Sequence, residues 1–215
     1  MTFTLNSKEE RFIKNIYNNS MKELNDFFKI NWNQNTPKIF IVSDRKTINK
    51  LKGYKTEDWV VGWADLSDNV FVLDKENYEK ESCHNYSDEE YKALIKHELA
   101  HLFVKNFCKK GNIKPRWIDE GIATYLSGQN KFKKSIKKFN VFLKYYKTGG
   151  KGIYTESGFA INVLIEKHGK SKILGLLSEL KNITSKEEFE NKFKEIYNFH
   201  PTYEEFNRLI GKWKK

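Results

Sequence analysis

The sequence predicts an α+β fold, a small mixed β-sheet set among helices and followed by a mainly helical second half. Apolar residues recur at helical intervals over most of the chain, and several of these stretches open with Ser or Thr three residues before Glu. Only three short runs have the length and the β-branched, aromatic composition of strands.

Ser7 and Glu10 make the first capping box, and Phe12, Ile16, Leu24, Phe27 and Phe28 follow at near-helical spacing, predicting a helix from about Lys8 to Lys29. Pro37 introduces the strand-like KIFIV at 38–42, and SDRKTINKLKG reads as a short helix ended by Gly53. DWVVGWA and NVFVLD are two more strands, separated by the turn-rich DLSDN. Ser87 and Glu90 then cap a helix of five or six turns that Gly111 is placed to end.

After NIKPRW comes a helix carrying IDEGIATYLSG, with Gly128 near its end. The stretch NKFKKSIKKFNVFLKYYK places Phe132, Ile136, Phe139, Leu143 and Tyr146 on a stripe with lysines elsewhere. That pattern fits a core-facing helix with a solvated lysine face, or a helix lying on an anionic surface. Four further helical segments follow, two of them opened by the capping boxes Ser185–Glu188 and Thr202–Glu205.

At 215 residues the chain suffices for one domain with a substantial core, and a 39% hydrophobic, 15% aromatic composition excludes a disordered chain. A single domain over 1–215 is expected, with an N-terminal helix and sheet part (1–86), a helix pair (87–128) and a helical C-terminal part (129–215). Neither the N-terminal MTFTLNSKEERF nor any other run has the apolar length of a signal peptide or membrane span, so a soluble, cytoplasmic protein is expected. Cys83 and Cys108 lie in no Cys-x-x-Cys pair and are expected to be reduced and structural. The net charge of +11 favours anionic partners, but lysine is frequent along the whole chain. The charge therefore reads as spread over many solvated faces, and a dedicated nucleic-acid function is not expected.

The chemistry concentrates in KALIKHELAHLFVKNF, residues 92–107. On a helix, His97 and His101 share one face a turn apart and can direct imidazole nitrogens at a common point. Glu98 is one residue round, placed to reach a water on the same ion rather than the ion itself. Packed or surface histidines are the plain alternative for this pair. A catalytic zinc takes three protein ligands, and Glu120, eighteen residues beyond His101, lies in RWIDEGIATYLSG on a helix that follows a reversal of the chain. His84, His168 and His200 stand at no spacing that completes such a site.

HELAH, eighteen residues and WIDEGIATYLSG together resemble the gluzincin metallopeptidases. The likeness is to the aminopeptidase branch, with its Trp-x-Asn-Glu-Gly-x-Ala-x-Tyr segment, and to the smaller peptidase-MA-like domains. The resemblance implies a thermolysin-like zincin domain in which His97, His101 and Glu120 bind one zinc ion and Glu98 is the general base. It implies a zinc metallopeptidase, an endopeptidase or oligopeptidase, cleaving peptide or protein substrates through a zinc-bound water activated by Glu98.

Asp119 stands where the aminopeptidase branch has asparagine, and VVGWADLSDNVFVLD lacks that branch's Gly-Ala-Met-Glu-Asn amine anchor, so aminopeptidase specificity does not carry over. YTESGFAINVLIEKHG is similar to a Tyr-x-x-Ser segment of the peptidase-MA-like domains, which makes Tyr154 the candidate oxyanion donor. A tyrosine packed at a helix start is the other reading, and Tyr125 reads as core. By the same likeness NVFVLD is expected to be the sheet edge that binds an extended substrate. A catalytically silent peptidase-like module that holds peptides or nucleic acid is the competing function.

Overall fold

The computed structural model describes residues 7–150 and 152–211, with side chains from 11 to 210. Helix α1 (Ser7–Phe28) buries Ile16, Ser20, Met21, Leu24 and Phe28, a stripe repeating every three to four residues. The Ser7–Glu10 capping box falls on side chains outside those described.

Strand β1 (Lys38–Val42) leads into α2 (Arg45–Lys52), whose first turn is capped by the Asp44 carboxylate accepting the Thr47 N–H at 2.7 Å. Gly53 ends this helix at φ 77°, a left-handed position that costs glycine least. Strands β2 (Gly62–Ala64) and β3 (Asn69–Leu73) complete a mixed sheet of order β1-β3-β2, in which β3 runs parallel to β1 and antiparallel to β2. Phe40, Phe71 and Trp63 are in register across the three strands and stack at 5.1 and 4.7 Å.

The expectation for NVFVLD is overturned: β3 is the central strand, bonded on both sides, and Val70, Val72 and Leu73 have no exposed surface. Its continuous apolar run reflects burial, and strand order in a sheet is set by crossovers that sequence adjacency does not reveal. The edges are β1 and β2.

A single turn, α3 (Lys75–Tyr78), precedes the long helix α4 (Asp88–Cys108). Helix α4 does not run to Gly111: Lys109 takes the left-handed position at φ 50°, and the Lys110 N–H closes on the Lys105 carbonyl at 3.2 Å. The chain divides into two compact units, 1–102 and 103–215, and α4 begins in the first and ends in the second. Among the described residues no helix is long and apolar enough to cross a membrane.

The second unit holds α5 (Arg116–Ser127), α6 (Ile153–His168), α7 (Lys170–Glu179), α8 (Lys186–Tyr197) and α9 (Tyr203–Gly211). Both parts of the Ser185–Glu188 capping box form, and Thr202 accepts the Glu205 N–H at 3.3 Å. Helices α5 and α6 approach closely at two glycines. A Cβ on Gly121 would stand 2.7 Å from the Ser157 carbonyl, and one on Gly158 would overlap Asn130 and Thr124.

Trp117 is 1% exposed and sits among Phe142, Phe189, Phe193 and Phe206 at ring separations of 4.9 to 6.5 Å. Trp117→Ala is expected to cost about 3–5 kcal/mol, read as a fall in the urea midpoint at unchanged m-value.

Residues 131–147 do not form the expected helix. They lie in two 3₁₀ turns, Gln129–Phe132 and Phe142–Lys144, joined by irregular chain. Remote groups take the backbone bonds that a helix would make internally. The Glu156 carboxylate accepts the N–H groups of Asn140, Val141 and Phe142 at 2.8 to 3.1 Å. Asn207 brackets Phe139 through its N–H and carbonyl at 2.7 and 3.0 Å. Phe139 and Phe142 are consequently buried, whereas Phe132 is 40% exposed.

Candidate metal centre

Helix α4 starts with the Glu90 N–H bonded to the Ser87 hydroxyl at 3.1 Å and with three acidic residues in its first turn, where the helix dipole favours them. Leu94, Ile95, Leu99, Ala100, Leu102, Phe103 and Val104 are all buried, so apolar packing surrounds most of the helix. Polar side chains at its centre are held away from water at a cost that is recovered only through specific interactions. His97 and Glu98 are 5% and 7% exposed, and His101 is half-buried. The two imidazoles meet edge to face, and their Nε2 atoms lie 3.1 Å apart.

Glu98 faces the sheet. A Cβ on Gly62 of β2 would stand 3.4 Å from Glu98 Cγ and 3.1 Å from Leu94 Cδ1, so a residue without a side chain lets the edge strand close on the helix here. The Leu73 N–H donates to Val61 and the Asp65 N–H to Asn69. The antiparallel alternation then turns the backbone groups of Gly62 and Ala64 away from β3. Burial lowers the pKa of Lys52, against the raising influence of the Glu98 and Asp65 charges.

On α5, Glu120 and Asp119 are 3% and 5% exposed. Arg116 Nη1 donates to Asp119 Oδ2 at 2.6 Å and Nη2 to Glu120 Oε1 at 2.7 Å. Burial acts to lower the Arg116 pKa, but the two carboxylates outweigh it and the net direction is upward. Asp119 thus serves as an acceptor for this guanidinium. Tyr154, half-buried near the start of α6, lies within electrostatic reach of Arg116, and its carbonyl accepts the Lys133 ammonium at 2.5 Å. Burial pushes Lys133 down to about 8, with Glu120 opposing the shift.

One donor atom from each of His97, His101 and Glu120 lies within 4.8 Å of the others. Donors about 2.1 Å from a tetrahedral ion stand roughly 3.4 Å apart, so holding a common ion would require adjustments of about an ångström. Two imidazoles and one carboxylate are also one of the donor sets of catalytic zinc. His84 sits by the Trp59 carbonyl at 3.1 Å, His168 packs on Tyr197 and Phe199, and His200 is exposed. Tyr125 is half-buried rather than core.

Sequence reading missed Arg116, Lys133 and Gly62. Arg116 had a local signal, because it precedes Asp119 and Glu120 by three and four residues on one helix face. Gly62 and Lys133 had none.

Both cysteines are free. Cys108 is buried, and burial, helped by the Asp119 charge, pushes its thiol up to about 12; Cys83 is exposed. One thiol per chain should react with a thiol reagent under native conditions and the second only in denaturant; two native equivalents would contradict this placement.

Neither a protein-family model nor a curated protein matches the chain.

Proposed function

We propose that the chain is a zinc-dependent peptidase with a thermolysin-like, gluzincin arrangement of its site. The observation that carries this reading is the convergence of donor atoms from His97, His101 and Glu120, with Glu98 on the same helix as the histidines. When bound, zinc supplies Lewis acidity, which polarises a scissile carbonyl and brings the pKa of water towards neutrality.

His97, His101 and Glu120 would hold the ion, and Arg116 would fix the orientation of Glu120 through its 2.7 Å bond. Glu98 takes the proton of the attacking water and returns it to the leaving amine. Tyr154 is proposed as a donor to the developing oxyanion. The outward backbone groups of Gly62 and Ala64 on β2 pair with an extended peptide and lay it beside Glu98.

Purified protein is expected to hold close to one zinc per chain and to hydrolyse peptides, with activity removed by a chelator and restored by zinc. Absence of bound metal after growth in zinc, or hydrolysis indifferent to chelation, would overturn the proposal.

A further inference from the structure

The positive charge is not spread evenly. The 35 residues between Glu120 and Glu156 contain eight lysines and no Asp or Glu, which leaves a net +3 for all other residues together. Of these lysines, Lys134, Lys137, Lys138, Lys144 and Lys147 are exposed, and no ion pair or hydrogen bond to a described residue engages the ammonium group of any of the five.

The strap that carries them is held in place. Glu156 and Asn207 fix its middle, and the Tyr145 and Tyr146 carbonyls accept the first N–H groups of α5, those of Trp117 and Arg116, at 3.1 and 3.0 Å. Near its start, Lys133 bonds the Tyr154 carbonyl and feels the charge of Glu120. The two ends of the strap therefore lie by the end of α5 that bears Arg116 and Glu120.

We infer that residues 131–147 form a docking surface for an acidic stretch of the peptide substrate, an inference that rests on the peptidase reading. Uncompensated lysines attract a run of carboxylates through their charge, and their flexible stems accommodate varied spacing. The strap offers little to the other polyanions. Phe139 and Phe142 are buried and Tyr145 and Tyr146 half-buried, so Phe132 is the one largely exposed ring among them and no stacking platform for bases exists. With Phe139 and Phe142 turned inward, Phe132 is the one large apolar side chain of the strap left exposed to enter a bilayer.

The test uses the full chain carrying Glu98→Gln and two labelled peptides that differ only in having Glu and Asp or Gln and Asn. The acidic peptide should bind on the order of tenfold tighter at about 50 mM salt, with the difference shrinking at about 300 mM. Lys134→Ser/Lys137→Ser/Lys138→Ser should abolish the preference, and the corresponding triple arginine variant should keep it. In a chain with Glu98 intact, the serine variant should raise KM for the acidic peptide and leave kcat unchanged.

Equal binding of the two peptides, an acidic preference that survives the serine substitutions, or tighter binding of a charge-matched single-stranded oligonucleotide would overturn the inference. Binding is read without turnover, so a chain that binds the acidic peptide but cleaves nothing counts against the peptidase reading alone. One that cleaves peptides without regard to charge counts against the docking surface alone.

Discussion

Glu98→Gln is expected to lower peptide hydrolysis by about 10²- to 10⁴-fold, the contribution of a positioned general base, while zinc content stays at the level of the unsubstituted chain. Glutamine keeps the size and the buried packing of Glu98 against Gly62, so the helix and edge strand have no cause to move. It cannot accept the proton of the attacking water. His97, His101 and Glu120 still converge without it, which is why metal content separates the base from the ligands. The loss should fall on kcat rather than KM, because the proposed peptide pairing with β2 does not involve the carboxylate. Hydrolysis that persists, or zinc that disappears with the substitution, would remove Glu98 from the role of base.

The second large effect is on stability. Glu156 is 4% exposed, and its carboxylate gathers three backbone N–H groups of the lysine-rich strap. Glu156→Ala leaves those donors without their acceptor in surroundings that water enters poorly, at a cost of about 3–5 kcal/mol. Glu156→Gln retains one acceptor oxygen and should cost roughly 1–2 kcal/mol. Urea unfolding of the three proteins gives the order directly, and an alanine variant as stable as the parent would refute the account. The same substitution should loosen the bonds from Tyr145 and Tyr146 to the first turn of α5, so reduced protection of the Arg116 and Trp117 amides from hydrogen exchange is the local signature.

Glu156 also shows where local pattern misleads. Phe132, Ile136, Phe139, Leu143 and Tyr146 have a helical period, yet the chain between them is irregular. Periodicity measures which faces can be apolar, and it is silent about a carboxylate some fifteen residues away that competes for the same backbone N–H groups. Where no such competitor intervenes, local pattern and structure agree: α2 stops at Gly53, and α8 opens on its complete capping box.

By itself the sequence determined what depends on neighbours along the chain. The serine caps that open α4 and α8, the strand at 38–42 and the placing of His97 and His101 on one face all follow from a fixed rise and turn per residue. Tertiary structure alone decided which strand lies at the centre of the sheet, how Gly62 comes against Glu98, and how Lys133 comes within reach of Glu120. It also set the burial that pushes Lys133 down to about 8 and Cys108 up to about 12. The physical reason is range: backbone geometry and capping act over about four residues, whereas burial, close approach and charge act through space between residues the chain keeps far apart.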